Sequence, residues 1–161
     1  MSAFLLSVHV LAAILTIGPV AIAASMFPPS ARLALAAPDD PRKTAVVRVL
    51  HRITRVYAVI GVLVPVFGLA TAASIGVLGD TWLIVSMILT AAAAALLIAF
   101  ILPSQKRVVR ALETDGEKAG DPLPDRIAGR LGMLTGVFNL LWAIVTILMI
   151  YRPGSTTGVG L

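Results

Sequence analysis

His9 stands near the start of the stretch SVHVLAAILTIGPVAIAA (residues 7–24), where almost every neighbour is apolar. A neutral imidazole can donate and accept hydrogen bonds, and it ligates metals and haem iron. Three roles are open to it: a hydrogen bond to a serine, threonine or backbone carbonyl of a neighbouring element, ligation of haem or copper, or contact with a polar ligand. A haem site calls for a second axial ligand at similar depth. Met87 is the candidate, because it lies about as far from the end of its own apolar run as His9 does, and Thr90 and Ala94 share its helical face. The other histidine, His51, belongs to the opposite end of the pattern and is out of reach of a metal held by His9.

The remaining residue types exclude much other chemistry. The chain has no cysteine, which removes disulfides, thiolate metal sites and cysteine nucleophiles. None of its apolar runs contains Asp or Glu, so a two-carboxylate hydrolase or a membrane metalloprotease lacks its acids and bases. A proton-coupled or cation-coupled carrier lacks the carboxylate such transport uses at depth. No catalytic residue is assigned, and the reading leans away from an enzyme.

The elements that hold His9 follow from composition. Of 161 residues, 58% are hydrophobic and 13% charged, with mean hydropathy +0.97. Soluble domains have about twice that charge, so lipid must be the solvent for much of this chain. A spanning helix needs roughly 20 mostly apolar residues. Four runs qualify: 3–26, 53–78, 81–102 and 131–151. No Lys or Arg precedes the first run, which is therefore expected to be a retained helix and not a signal peptide.

Charge placement sets the orientation. Arg32, Arg42, Lys43, Arg48, Arg52 and Arg55 precede or begin the second run, and Lys106, Arg107, Arg110, Lys118, Arg126 and Arg130 lie between the third and fourth. Gly79 and Asp80 make a tight turn between the second and third. The positive-inside rule puts both basic segments in the cytoplasm and both termini outside. The expected architecture is all-α: a single transmembrane domain over 1–161, a four-helix bundle with a cytoplasmic loop over about 103–127; the ends of the basic segments are expected to remain helical, around a flexible stretch at 111–129. The net charge of +5 thus reports bilayer topology, not a nucleic-acid partner. Asp40 followed by Pro41 predicts a capped helix start. Arg48, Arg52 and Arg55 then recur at helical spacing and would face lipid headgroups.

In lipid, helices approach through small residues and interhelical hydrogen bonds. Gly129, Gly132, Gly136, Asn139, Ala143 and Thr146 form one stripe on the fourth run, and Leu134, Phe138, Leu141 and Ile144 lie opposite, as expected of a lipid face. Gly61, Pro65, Gly68, Ala72 and Gly76 mark the second run, and Ser86, Thr90, Ala93 and Leu97 the third. On the first, His9, Ala12, Thr16, Pro19 and Ala23 share a face, so His9 is expected to point into the bundle. Trp82, Trp142 and Tyr151 fit interface anchoring.

The stretch HVLAAILTIGP resembles small bacterial membrane proteins of the copper-resistance protein D family and the J-type protoporphyrinogen oxidases. Closer still is an uncharacterised family of predicted integral membrane proteins of about four spans, with an arginine-rich approach to the second helix. In this resemblance the histidine is His9 and the first glycine of a Gly pair is Gly18, while Pro19 replaces the second glycine and Thr16 replaces a tryptophan. The lysine that the oxidases use in a later span has no counterpart within a span here. The resemblance implies a bacterial plasma-membrane protein with haem or copper as its cofactor class.

Three functions of different class follow. The first is a non-enzymatic accessory or assembly subunit that packs against other membrane proteins or a second copy. The second is a haem- or copper-binding redox protein using His9. The third is a small transporter hinged at Pro19 and Pro65.

Overall fold

The computed structural model describes residues 2–113 and 123–154. All regular structure among them is helical. Helix α1 spans Ser2–Leu35, α2 Pro41–Ile60, α3 Leu63–Ile75, α4 Thr81–Leu96, α5 Leu102–Glu113 and α6 Leu123–Tyr151, with a π-helical turn at Leu97–Ile101 joining α4 to α5. Four continuous stretches are long and apolar enough to cross a membrane: Ala3–Leu35, Pro41–Ile75, Thr81–Glu113 and Arg126–Tyr151. At about 1.5 Å per residue, the first, of 33 residues, is some 50 Å long and overshoots the hydrocarbon layer of roughly 30 Å.

Helix α1 packs between α2–α3 on one side and α6 on the other, and α6 packs in turn on α4. The ends of this row meet where α2 contacts α5. The main core lies toward the arginine-rich end, where Phe27, Val47, Ile101, Val108, Leu131 and Phe138 are almost wholly enclosed. A smaller cluster of Ala72, Val77, Trp82 and Leu83 closes the other end. The outer surface is aliphatic: Ile14, Val59, Ile88, Leu140 and Ile150 are all more than half exposed. Water would penalise such a surface, and lipid tails do not.

Local chemistry explains most boundaries. The Asp40 carboxylate accepts the Arg42 N–H at 3.0 Å, and Pro41 opens α2, which needs no donor there. Gly76 ends α3 with φ of 76°, the left-handed conformation that suits glycine. Pro65 has no N–H, and its ring displaces the carbonyl four residues back. That residue is Gly61, and the break between α2 and α3 falls at Gly61–Val62. The Gly61 carbonyl accepts instead from Val64 N at 3.0 Å, a tighter three-residue step. Pro103 stands in the same relation to Ala99, within the π-helical turn, where the Leu102 N–H reaches back five residues to the Leu97 carbonyl.

The structure extends or corrects several expectations. Beyond the first apolar run, helix α1 continues through Pro28 and Pro29 to Leu35. Buried Phe27, Ala31 and Ala34 hold that extension against the core. The cytoplasmic segment over 103–127 is helical through Glu113 and again from Leu123, so its helical ends reach into the stretch expected to be flexible. Residues 114–122, with Lys118, lie outside the described residues. The faces of α6 depart in part from the pattern: Phe138 is 1% exposed, whereas Gly132, Gly136, Ala143 and Thr146 lie on the outer surface, and Ile144 is exposed as expected. Phe138 meets Trp142 edge to face at 6.3 Å and fills the space between helices that a glycine seam would have closed. On α4 and at the start of the π-helical turn, Ser86, Ala93 and Leu97 are buried as the pattern predicts.

Candidate functional site

The His9 ring sits where α1 crosses α3. Its Nδ1 lies 2.9 Å from the Val64 carbonyl oxygen. A carbonyl only accepts, so Nδ1 carries the proton, and in the neutral ring the lone pair resides on Nε2. Gly68, one turn further along α3, makes room for the ring. A Cβ there would stand 2.9 Å from His9 Cε1 and 3.2 Å from Nδ1. The Pro65 break, the Val64 acceptor and the Gly68 recess therefore lie within two turns of one another and together seat one side chain.

A recess of about 30 Å³ adjoins the ring, bordered by Thr71, Trp82, Met149 and Arg152. That volume suits about one water molecule. Thr71 donates to its own helix, to the Phe67 carbonyl at 2.7 Å. Above it, Trp82 Nε1 donates to the Asp80 carboxylate at 2.9 Å, and the Arg152 guanidinium carbon lies 5.6 Å from the Trp82 ring centre. Arg152 adopts φ of 45° and bonds the Met149 carbonyl through Nε at 3.3 Å, which folds its side chain back over the bundle end. Asp80, Trp82 and Arg152 thus form a polar cap that the sequence reading missed. Its signal was the presence of Asp80 and Arg152 at the two ends that meet there.

These surroundings do not fit haem held between His9 and Met87. The recess is far too small for a macrocycle. Met87 is 43% exposed on the outside of α4 and does not border the recess. Among the described residues, no group of three or more histidine, aspartate or glutamate side chains is placed to hold a metal. The arrangement supports a fixed tautomer and a single interhelical hydrogen bond, with Nε2 left as an acceptor.

The other sequence-derived positions separate. Thr16 is buried but donates to the Ala12 carbonyl of its own helix at 2.6 Å, so it joins no neighbour. Asn139 does bridge helices: its Nδ2 donates to Ser25 Oγ on α1 at 3.0 Å. Gly61 sits at the α2–α3 break. Gly132 and Gly136 face open space, with nothing within 4 Å of an added Cβ. Arg48 pairs with Glu113 of α5 at 2.9 Å, and Arg48, Arg52 and Arg55 are all exposed. His51 Nδ1 lies 3.1 Å from Oε1 of the fully buried Gln105, at the arginine-rich end and remote from His9.

No curated protein and no solved structure matches this chain. A family model described as predicted integral membrane protein (DUF2269) matches residues 3–153. That description accords with four helices long and apolar enough to cross a membrane, and the chain belongs to this family.

Proposed function

We propose that the protein is a non-catalytic, multi-pass subunit of the bacterial plasma membrane that docks a partner helix on the outer face of α6. The observation that carries this reading is the position of Gly132 and Gly136. Both lie on the surface, and neither is used by the chain's own packing. Small residues spaced four apart let a second backbone approach closely, and lipid gains nothing from their absence of side chain. The face continues past the Asn139–Ser25 hydrogen bond to Ala143 and Thr146.

The test is photo-crosslinking in native membranes. A photoreactive residue at Met133, on this face, should capture a second copy or a discrete partner, whereas one at the equally exposed Val59 should not. Gly132→Leu and Gly136→Leu should abolish capture without lowering the thermal stability of the purified protein, because both positions are exposed and a Cβ added there meets nothing within 4 Å. Equal capture from both positions, or capture unaffected by the leucines, would defeat the proposal.

A further inference from the structure

A second recess, of about 300 Å³, opens at the arginine-rich end between the α4–α5 junction and the start of α6. Its volume is at the lower end of the range for ligand pockets. Phe100, Ser104 and Arg107 line one wall, and Ile127, Arg130 and Leu134 the other. The π-helical turn forms part of this wall, because Ala99 and Phe100 belong to it and Pro103 follows directly. Neither Arg107 nor Arg130 has an ion pair or side-chain hydrogen bond among the described residues, unlike Arg48, which is held by Glu113.

The depth of the recess is informative. Arg107 lies 26 residues beyond Thr81, about 39 Å along its helix, and Arg130 lies 21 residues before Tyr151, about 32 Å. Both distances exceed a hydrocarbon layer of roughly 30 Å, so the two guanidinium groups reach phosphate level at the same end of the bundle. Leu134 and Phe100 lie one and two turns deeper, at acyl-chain level. The recess is therefore amphipathic along the membrane normal, with two cations at its mouth and an apolar floor.

We infer that this recess binds the phosphate of an anionic phospholipid, with Arg107 and Arg130 holding the headgroup and an acyl chain lying along Phe100 and Leu134. Guanidinium forks match phosphate oxygens in pairs. Basic clefts between helices at a membrane surface bind anionic headgroups for this reason. A free phosphate would use the two arginines alone and leave the floor without an occupant.

The experiment is native mass spectrometry of the detergent-solubilised full chain, titrated with phosphatidylglycerol, phosphatidylcholine or inorganic phosphate. One phosphatidylglycerol should bind in preference to phosphatidylcholine. The double variant Arg107→Gln/Arg130→Gln should weaken that binding by about 30-fold, from roughly one surface-charge contribution per arginine. Arg52→Gln/Arg55→Gln removes the same charge from exposed α2 and should change it by less than about threefold on the same reasoning. Equal weakening in the two double variants would overturn the site in favour of diffuse attraction. Displacement of the lipid by millimolar inorganic phosphate would overturn the lipid assignment in favour of the free anion, and equal binding of phosphatidylcholine would overturn the role of the arginines.

Discussion

A methyl group added at Gly68 would stand 2.9 Å from the His9 ring, closer than real contacts allow. Either the ring or α3 must then move, and either movement strains the bond to Val64. Overpacking of this kind costs about 1–3 kcal/mol. Gly68→Ala should accordingly lower the melting temperature in detergent. His9→Ala removes one interhelical hydrogen bond, an interaction that averages about 0.6 kcal/mol in membrane proteins. In the His9→Ala background the alanine at position 68 meets no ring, so the double variant should be more stable than Gly68→Ala alone. Strictly additive losses would show that the recess at Gly68 does not exist to seat the histidine. The inward direction of His9 was legible in the sequence, because it shares a face with small residues. Its partner was not, since every residue supplies a carbonyl and no side chain marks the one that is used. The nearest signal was indirect: Pro65 next to the acceptor, and Gly68 one turn on.

At the scale of the helix, the same acceptor depends on the α2–α3 break. Pro65→Ala restores an N–H that can bond the Gly61 carbonyl, so α2 and α3 should merge into one helix. Amide exchange at residues 62–64 in micelles should then slow by about tenfold or more, as expected when open backbone bonds join a continuous ladder. Unchanged exchange there would assign the break to packing against α1 and not to the proline. The four apolar runs, the Asp40 cap and the buried side of α4 were all readable from spacing. The α6 face was not. Apolarity does not separate inside from outside when the solvent is lipid, so a glycine stripe marks close approach without saying whose helix approaches. Bulky Phe138 serves the chain's own core instead. Helix α5 did have a signal: Ile101, Gln105, Val108 and Leu112 recur at steps of four, three and four, and the first three are buried. The Gly, Pro and mixed charge from residue 111 onward made the stretch that follows read as flexible. Helix α1 carries Pro28 and Pro29 inside it, and the local preference of proline against helix interiors is overridden there by packing at Phe27, Ala31 and Ala34.

For the whole molecule, the distribution of charge sets which way the bundle faces. Arg42, Arg52, Arg55, Lys106, Arg107, Arg126 and Arg130 are all exposed at one end, and Arg152 is the one arginine or lysine among the described residues at the other, folded over Trp82. Translocating the first end would carry many cations outward against the membrane potential and away from anionic lipids, with each charge worth about 2.3 kcal/mol per 100 mV. The arginine-rich end should therefore face the cytoplasm, and the Gly76–Asp80 turn the outside. The chain has no cysteine, so one introduced thiol reports its side without background. In intact cells a membrane-impermeant maleimide should label Gly79→Cys, on the exposed turn, and should reach Ala36→Cys, between α1 and α2, after lysis alone. The reverse pattern would turn the bundle over and place the Arg107–Arg130 recess in the outer leaflet. Equal labelling of both positions in intact cells would mean that the chain between them does not cross the membrane, and the lipid-facing reading of its aliphatic surface would fail with it.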